Sequence, residues 1–416
     1  MDFKYKGREL YCENARVADI VRKVGTPAYI YSHKTFVENV RSLQKAFRPL
    51  NPLICYSMKA NSNLAVLKTV VNQGAGLDIV SAGELYRARK AKCDPKKIVF
   101  AGVGKNEQEI EAALRYGILF FNVESLPELE LINKVAQRLG MRAKISLRVN
   151  PDVDPQTHRH IATGKSESKF GLDLALARAL FRRRRDFSNV LLCALHVHIG
   201  SQIVIADPFV KAFRKLLGFV DELARQGIAI EYLNLGGGLG VVYHKEKPQT
   251  AEQFAKKIIP LFKGRKLKLV FEPGRFISAN AGILAGKVLY IKRTRVKNFV
   301  IIDAAMNDLI RPSLYDAYHG ILPLRKQKSR QEIYDVVGPI CESGDFFAKK
   351  RKLPQLASGD YVAIMSAGAY GFVMASNYNS RPRACEILVR GGRFEVVRRR
   401  ETFESLVSGE TIPARV

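Results

Sequence analysis

Short apolar runs recur through the first two thirds of the chain, each followed by a stretch in which apolar residues return every three or four positions. The runs predict strands at Leu53–Ser57, Leu77–Val80, Lys97–Ala101, Ile118–Val123, Lys144–Val149, Ala194–Ile199, Glu231–Leu235 and Lys268–Glu272. The helical spacing between them predicts helices at Asn106–Tyr116, Ser125–Leu139, Asp173–Arg184, Pro208–Gln226 and Ala251–Phe262. Strand followed by helix, repeated, is the pattern of a parallel α/β sheet. Eight such units within roughly 220 residues predict a closed (β/α)8, TIM-like barrel rather than an open sheet.

After Arg275 the rhythm changes. Lys287–Lys297, Phe299–Asp303, Tyr334–Ile340, Tyr361–Met365 and Ala384–Arg400 read as strands joined by turns, the last folded at Gly391-Gly392. A mostly antiparallel β domain follows, and the strand-like pieces in residues 1–30 are expected to join it. The expected division is therefore a barrel over 31–280 and a β domain from 1–30 and 281–416.

Composition changes this picture little. The chain has 416 residues, 47% of them hydrophobic and 26% charged, which is globular and excludes collagen, coiled coil and wholesale disorder. Nowhere do 18 apolar residues run together, so no membrane-spanning helix is expected. The opening MDFKYKGREL has no apolar core of a secretory signal. Six cysteines are scattered without a CxxC pair, which predicts neither a disulfide framework nor a metal site. Together these features point to the reducing cytoplasm.

Charge is the unusual feature: 68 Lys and Arg against 39 Asp and Glu, a net +29. Clustered cations would bind nucleic acid by releasing counterions. Here they fall in short separate runs, Arg182 to Arg185, Arg325 to Arg330, Lys349 to Lys352 and Arg398 to Arg400, with no recognition module among them. A basic solvated surface that draws in anionic ligands is the favoured reading, and nucleic acid is not the expected partner.

Barrel active sites sit where strands end and βα loops begin. Those positions here carry Tyr56-Ser57-Met58-Lys59-Ala60-Asn61, Asp78 with Ser81-Ala82-Gly83-Glu84, Arg148-Val149-Asn150-Pro151, His196-Val197-His198-Ile199-Gly200-Ser201, Gly236-Gly237-Gly238-Leu239-Gly240 and Glu272-Pro273-Gly274-Arg275. Singly each has a plain structural explanation: a solvated lysine, a hydrogen-bonded histidine, a tight glycine turn. Together they are chemically complementary. Successive glycines leave backbone N–H groups able to approach a phosphate, and Arg275 adds a charge-assisted contact. A lysine aimed into a pocket can bind an aldehyde, and a carboxylate can keep a pyridine nitrogen protonated. Phosphate, aldehyde and pyridinium describe pyridoxal 5'-phosphate.

The motifs Y-S-M-K-A-N, H-V-H-I-G-S-Q, G-G-G-L-G, E-P-G-R, C-E-S-G-D and A-G-A-Y, in that order, resemble those of the barrel-type pyridoxal-phosphate amino-acid decarboxylases (fold type III) over essentially the whole chain. The resemblance implies that Lys59 binds the cofactor's aldehyde and that His198 stacks on one ring face. Ser201 and the turn of Gly236, Gly237 and Gly238 would hold the phosphate. Glu272 would face the ring nitrogen, with Asp78 and Gly274 also lining the cofactor. Arg275 would reach phosphate or substrate, and Tyr370 both. It further implies a homodimer in which Cys341 of the β domain, as proton donor, reaches the other subunit's barrel.

Members of this family act on ornithine, arginine, carboxynorspermidine or meso-2,6-diaminopimelate and differ in what holds the far end of the substrate. A second amino-acid head needs a cation for its carboxylate and an anion for its ammonium. By resemblance, Arg311 and Tyr315 of Arg311-Pro312-Ser313-Leu314-Tyr315 would bind that carboxylate, and Glu342 that ammonium. An arginine can make two parallel bonds there, which a lysine cannot reproduce. The expected activity is decarboxylation of diaminopimelate to lysine and CO2. The alternatives are a polyamine-pathway decarboxylase, a related barrel racemase, or a basic cofactor- or nucleic-acid-binding protein without turnover.

Overall fold

The computed structural model of the protein describes residues 2–154 and 169–415. The chain divides into two compact units, one of Val37–Val242 with Glu246–Ile277, the other of Met1–Phe36, Tyr243–Lys245 and Ser278–Val416.

In the second of these, β1 (Phe3–Lys6), β2 (Glu9–Cys12) and β3 (Ala15–Arg16) form a small antiparallel sheet, and β4 (Ala28–Ser32) enters a larger one. The other unit is the barrel. Its strands are β5 (Leu53–Ser57), β6 (Gly76–Ile79), β7 (Ile98–Phe100), β8 (Phe120–Val123), β9 (Ala143–Arg148), β10 (Val190–His196), β11 (Tyr232–Asn234) and β12 (Lys268–Phe271). They close on themselves in sequence order, every neighbouring pair parallel. The expected (β/α)8 barrel is therefore present.

Sequence signals explain the helices that follow these strands. Asn106 and Glu109 make a reciprocal cap at Glu107–Tyr116, as Thr250 and Gln253 do at Ala251–Phe262. The helix Asp207–Arg225 buries Phe209, Phe213, Leu216, Val220 and Leu223, the stripe that i, i+3, i+4 spacing predicts. Burying a leucine or phenylalanine of this kind contributes about 1.5–3 kcal/mol. Most barrel boundaries move by a residue or two; the largest change is at β10, which starts at Val190 and ends at His196, so His198 lies in the loop beyond it rather than in the strand.

In the β domain follow β13 (Gly282–Arg293), β14 (Asn298–Ile302), β15 (Ile321–Pro323), β16 (Gln331–Val337), β17 (Phe346–Pro354), β18 (Tyr361–Ile364), β19 (Cys385–Arg390) and β20 (Arg393–Arg398). The main path runs β17-β16-β14-β13-β4-β19-β20, with β18 pairing to β13 and β15. Most pairs are antiparallel; β4–β19 and β14–β16 are parallel. The glycine pair folds the β19–β20 hairpin, Arg390 facing Arg393. Strand β17 has no counterpart in the apolar pattern because Lys349-Lys350-Arg351-Lys352 interrupts it. It lies at one end of the sheet and Arg393–Arg398 at the other, so part of the excess charge sits where cations discourage edge-to-edge pairing.

Asp308 is buried in this domain, and its Oδ1 has no partner among the described residues. Burial raises its carboxyl to about 7 against the pull of Arg381 and Arg400. A raised carboxyl is stabilising while protonated, so its contribution is present at low pH and is lost as pH rises through about 7. Asp308→Asn should therefore flatten the fall of melting temperature between pH 5 and 8, the unfolding midpoint against pH being the check. An unchanged profile would mean that this carboxyl does not govern it.

Candidate active site

Eight buried polar side chains, Ser57, Asp78, Asn122, Ser146, Arg148, His196, Asn234 and Glu272, stand at or beside the C-terminal ends of barrel strands. Apolar residues such as Cys55, Val99, Phe120 and Val270 pack together elsewhere in the barrel. Fully buried polar groups require partners, and most of these pair with one another.

Lys59 follows β5 on a single 3-10 turn whose flanking Met58 and Ala60 are buried, while its own side chain stays 40% exposed. Its Nζ lies 2.7 Å from Oδ2 of the wholly buried Asp78, which also accepts from Ser57 Oγ. Burial, and then the nearby Glu272, push the Asp78 carboxyl up, with Lys59 opposing. Glu272 goes the other way. Burial alone would raise it, but His196, whose Nε2 is 3.2 Å from Oε2, together with Lys59 and Asn234 brings it well below the usual carboxylate range. Asn122 donates to its Oε1 at 2.9 Å, and Asn234 donates to the same oxygen. Glu272 is thus held as an anion, whereas the Asp78 carboxyl is shifted upward.

Beyond β10, His198 accepts from Gly237 N–H at its Nδ1 (3.1 Å), placing its own proton on Nε2. Burial, then Arg148 and Lys59, lower its pKa well below the ordinary histidine value, so it is neutral. Arg148 in turn pairs at 3.0 Å with buried Glu124. The glycine turn packs tightly between strand ends: a Cβ on Gly237 would lie 2.1 Å from Glu272 O, and Gly236 and Gly238 both have positive φ. Gly236 N–H donates to Asn234 Oδ1 and Gly237 N–H to His198, whereas Gly238 N–H has no partner among the described residues. Arg275 Nε donates to Ser201 Oγ at 3.1 Å, and Gly274 packs against Ser57 and Ala60. The structure therefore pairs Lys59 with Asp78, His198 with Gly237 and Arg275 with Ser201, and packs Gly237 against Glu272 O and Gly274 against Ser57.

In the β domain, Arg311 opens the short helix Arg311–Tyr315 and is buried. Ser313 Oγ of that helix donates to Gly344 O, tying it to the Cys341–Asp345 loop. Asp345 anchors the loop from beneath, accepting Met306 N–H at Oδ1 and Ile340 N–H at Oδ2, each at 2.7 Å. Cys341 and Glu342 are exposed on it. Asn379 Oδ1 accepts Cys341 N–H, and Tyr370 holds a left-handed φ of 55° after Ala367-Gly368-Ala369.

The profile of the pyridoxal-binding domain of pyridoxal-dependent decarboxylases matches residues 33–279. This chain belongs to the pyridoxal-dependent decarboxylases. It is 49% identical to the diaminopimelate decarboxylase of Pseudomonas aeruginosa, with 99% of both chains covered, and 45% identical to that of Aquifex aeolicus, covering 97% of this chain and 96% of that one. A crystal structure of the M. jannaschii diaminopimelate decarboxylase in complex with L-lysine superposes with a TM-score of 0.94 at 37% identity, covering 99% of this chain and 98% of that one.

For a decarboxylase of this family the rim offers what a pyridoxal group requires: an amine, an enforced carboxylate anion, an unpartnered Gly238 N–H and an Asp78 Oδ1 without a partner among the described residues. The residues fit. Sequence reasoning named His196 at its strand end but gave it no role, and missed Asn122 and Asn234; all three hold Glu272. Their signal was the two-residue period, since His196 precedes His198 by two and Asn234 precedes Gly236 by two. Among the described residues no group of His, Cys, Asp and Glu is arranged to hold a metal, and no helix is long and apolar enough to cross a membrane.

The turn yields a direct check. Gly237→Ala would force the loop from Glu272 O, at a cost of about 1–3 kcal/mol for an overpacked site. A lower melting temperature and weaker pyridoxal phosphate uptake, read by absorbance titration, are expected; wild-type affinity would show that the close approach is dispensable.

Proposed function

We propose that this pyridoxal-dependent decarboxylase removes CO2 from meso-2,6-diaminopimelate to give L-lysine, using pyridoxal 5'-phosphate and working as a cytoplasmic homodimer. The observation that carries the reading is that the β domain holds a buried guanidinium, Arg311, and presents an exposed carboxylate, Glu342, on the Cys341 loop. A second amino-acid head needs both charges; a diamine product would need only the acid. The names of the relatives support the same choice.

The cofactor, when bound, supplies an electron sink for the pair left behind as CO2 departs. Lys59 provides the amine that holds it, and Asp78, 2.7 Å away, orients that amine. Glu272, fixed as an anion by His196, Asn122 and Asn234, favours a protonated ring nitrogen. Neutral His198, its orientation set by Gly237 N–H, would help hold the cofactor ring. Ser201, the glycine turn and Gly274 would hold its phosphate, with Arg275 steadied on Ser201 and Tyr370 adding a hydroxyl. Arg311 and Tyr315 would take the distal carboxylate, and the partner subunit's Glu342, next to Cys341 on its loop, the distal ammonium. Cys341 of the partner subunit delivers a proton from Sγ to the substrate's Cα.

Arg311→Ala tests the substrate assignment. Leaving the distal carboxylate unpaired should cost about 2–5 kcal/mol, read as a fall in kcat/KM for diaminopimelate. Cofactor absorbance should be unchanged. Equal loss of cofactor would make Arg311 structural and remove the basis for preferring diaminopimelate.

A further inference from the structure

Arg311 is held by a neighbour that none of the motifs above contains. The helix ends at Asp316 in a left-handed turn (φ 49°), and the chain doubles back so that His319 faces Arg311, Nε2 to Nη1 at 3.1 Å. His319 is wholly buried, and its Nδ1 lies 2.8 Å from Met365 O. These two contacts fix the ring's state. A carbonyl only accepts, so Nδ1 carries the proton; a guanidinium only donates, so Nε2 is a lone pair. The backbone repeats the tether: Met365 N–H donates to Gly320 O at 2.8 Å, and Arg351 donates to His319 O at 2.8 Å. Tyr243, just past the glycine-rich turn, closes the cluster. Its ring lies 4.7 Å beneath the Arg311 guanidinium and meets His319 edge-on at 5.5 Å.

We propose that His319, seconded by the Tyr243 ring, is a positioning residue that fixes the plane of the Arg311 guanidinium for the substrate's distal carboxylate. The inference rests on the assignment of Arg311 above. A bidentate fork recognises a carboxylate only in the right plane, and an arginine side chain loses considerable rotamer freedom when fixed. His319 has made that fixation part of the fold. Its contact with Arg311 is through the guanidinium, so its effect falls on binding of the distal head.

The ligands that read this are L-lysine, which keeps the distal amino-acid head after CO2 is lost, and cadaverine, which lacks it. Both are titrated against cofactor-loaded enzyme. His319→Ala and the volume-filling His319→Leu should each weaken L-lysine about tenfold, the effect of one lost hydrogen bond to a charged group. Cadaverine should change less than about twofold by the same reckoning, since it has no carboxylate for Arg311. KM for diaminopimelate should rise with L-lysine's Kd, kcat changing less. His319→Gln, whose Oε1 can accept from Arg311, should recover most of the loss. Wild-type L-lysine affinity in the folded Ala or Leu variant, or equal weakening of both ligands, overturns the proposal. Arg311→Ala separates the two levels. If it weakens L-lysine while His319→Leu does not, only the positioning role fails; if it too binds L-lysine normally, the assignment of Arg311 fails first.

Discussion

Lys59→Ala is expected to lower turnover by on the order of 10⁴-fold or more, because covalent attachment of the cofactor's aldehyde would depend on that amine. The geometry makes the loss specific. Among the described residues Lys59 is the charged side chain paired with Asp78 Oδ2, at 2.7 Å, while the Gly236–Gly238 turn and Ser201 belong to other strand ends. The variant should therefore still take up cofactor through its phosphate, yet lack the absorbance of the lysine-linked form. Steady-state rates on loaded protein, with the visible spectrum, check this. Turnover near wild type without added amine would remove Lys59 from the reaction.

Cys341→Ala should retain cofactor absorbance and lose about 10²–10³ in kcat, the range for a removed general acid. Cys341 is the one exposed cysteine among six, on a loop that Asp345 and Asn379 hold by backbone hydrogen bonds, so its loss should leave the fold intact. If each site draws Lys59 from one subunit and Cys341 from its partner, mixing the two inactive variants under subunit exchange creates hybrid dimers with one complete site. Part of the activity should return. Exchange demonstrated by mass, with no recovery, would contradict the shared site, and near-normal activity of Cys341→Ala alone would exclude it as the proton donor.

The barrel was legible because its strands are short apolar blocks and its helices carry stripes and caps; β5 and Ala251–Phe262 match the sequence expectation residue for residue. Strand β17 was not, because an end strand rich in cations reads as a solvated run. Lys59, His198, Glu272 and the glycine turn stood out because they sit at strand ends. Of the residues that hold them, His196 carries only the two-residue period before His198, and His319 behind Arg311 carries no local pattern. His196 meets Glu272 only when β11 sets β10 and β12 on either side of it, and His319 meets Arg311 only when a left-handed turn at Asp316 folds the chain back. The excess of cations is partly placed by the two sheet ends, and the structure gives no further reason for it.

The central claim is the substrate. Cofactor-loaded wild-type protein should release CO2 from meso-diaminopimelate with equimolar lysine, and its kcat/KM for ornithine should be lower by about 100-fold or more, the factor that about 2.7 kcal/mol of distal-head recognition provides. Comparable or faster release of CO2 from ornithine would contradict the account.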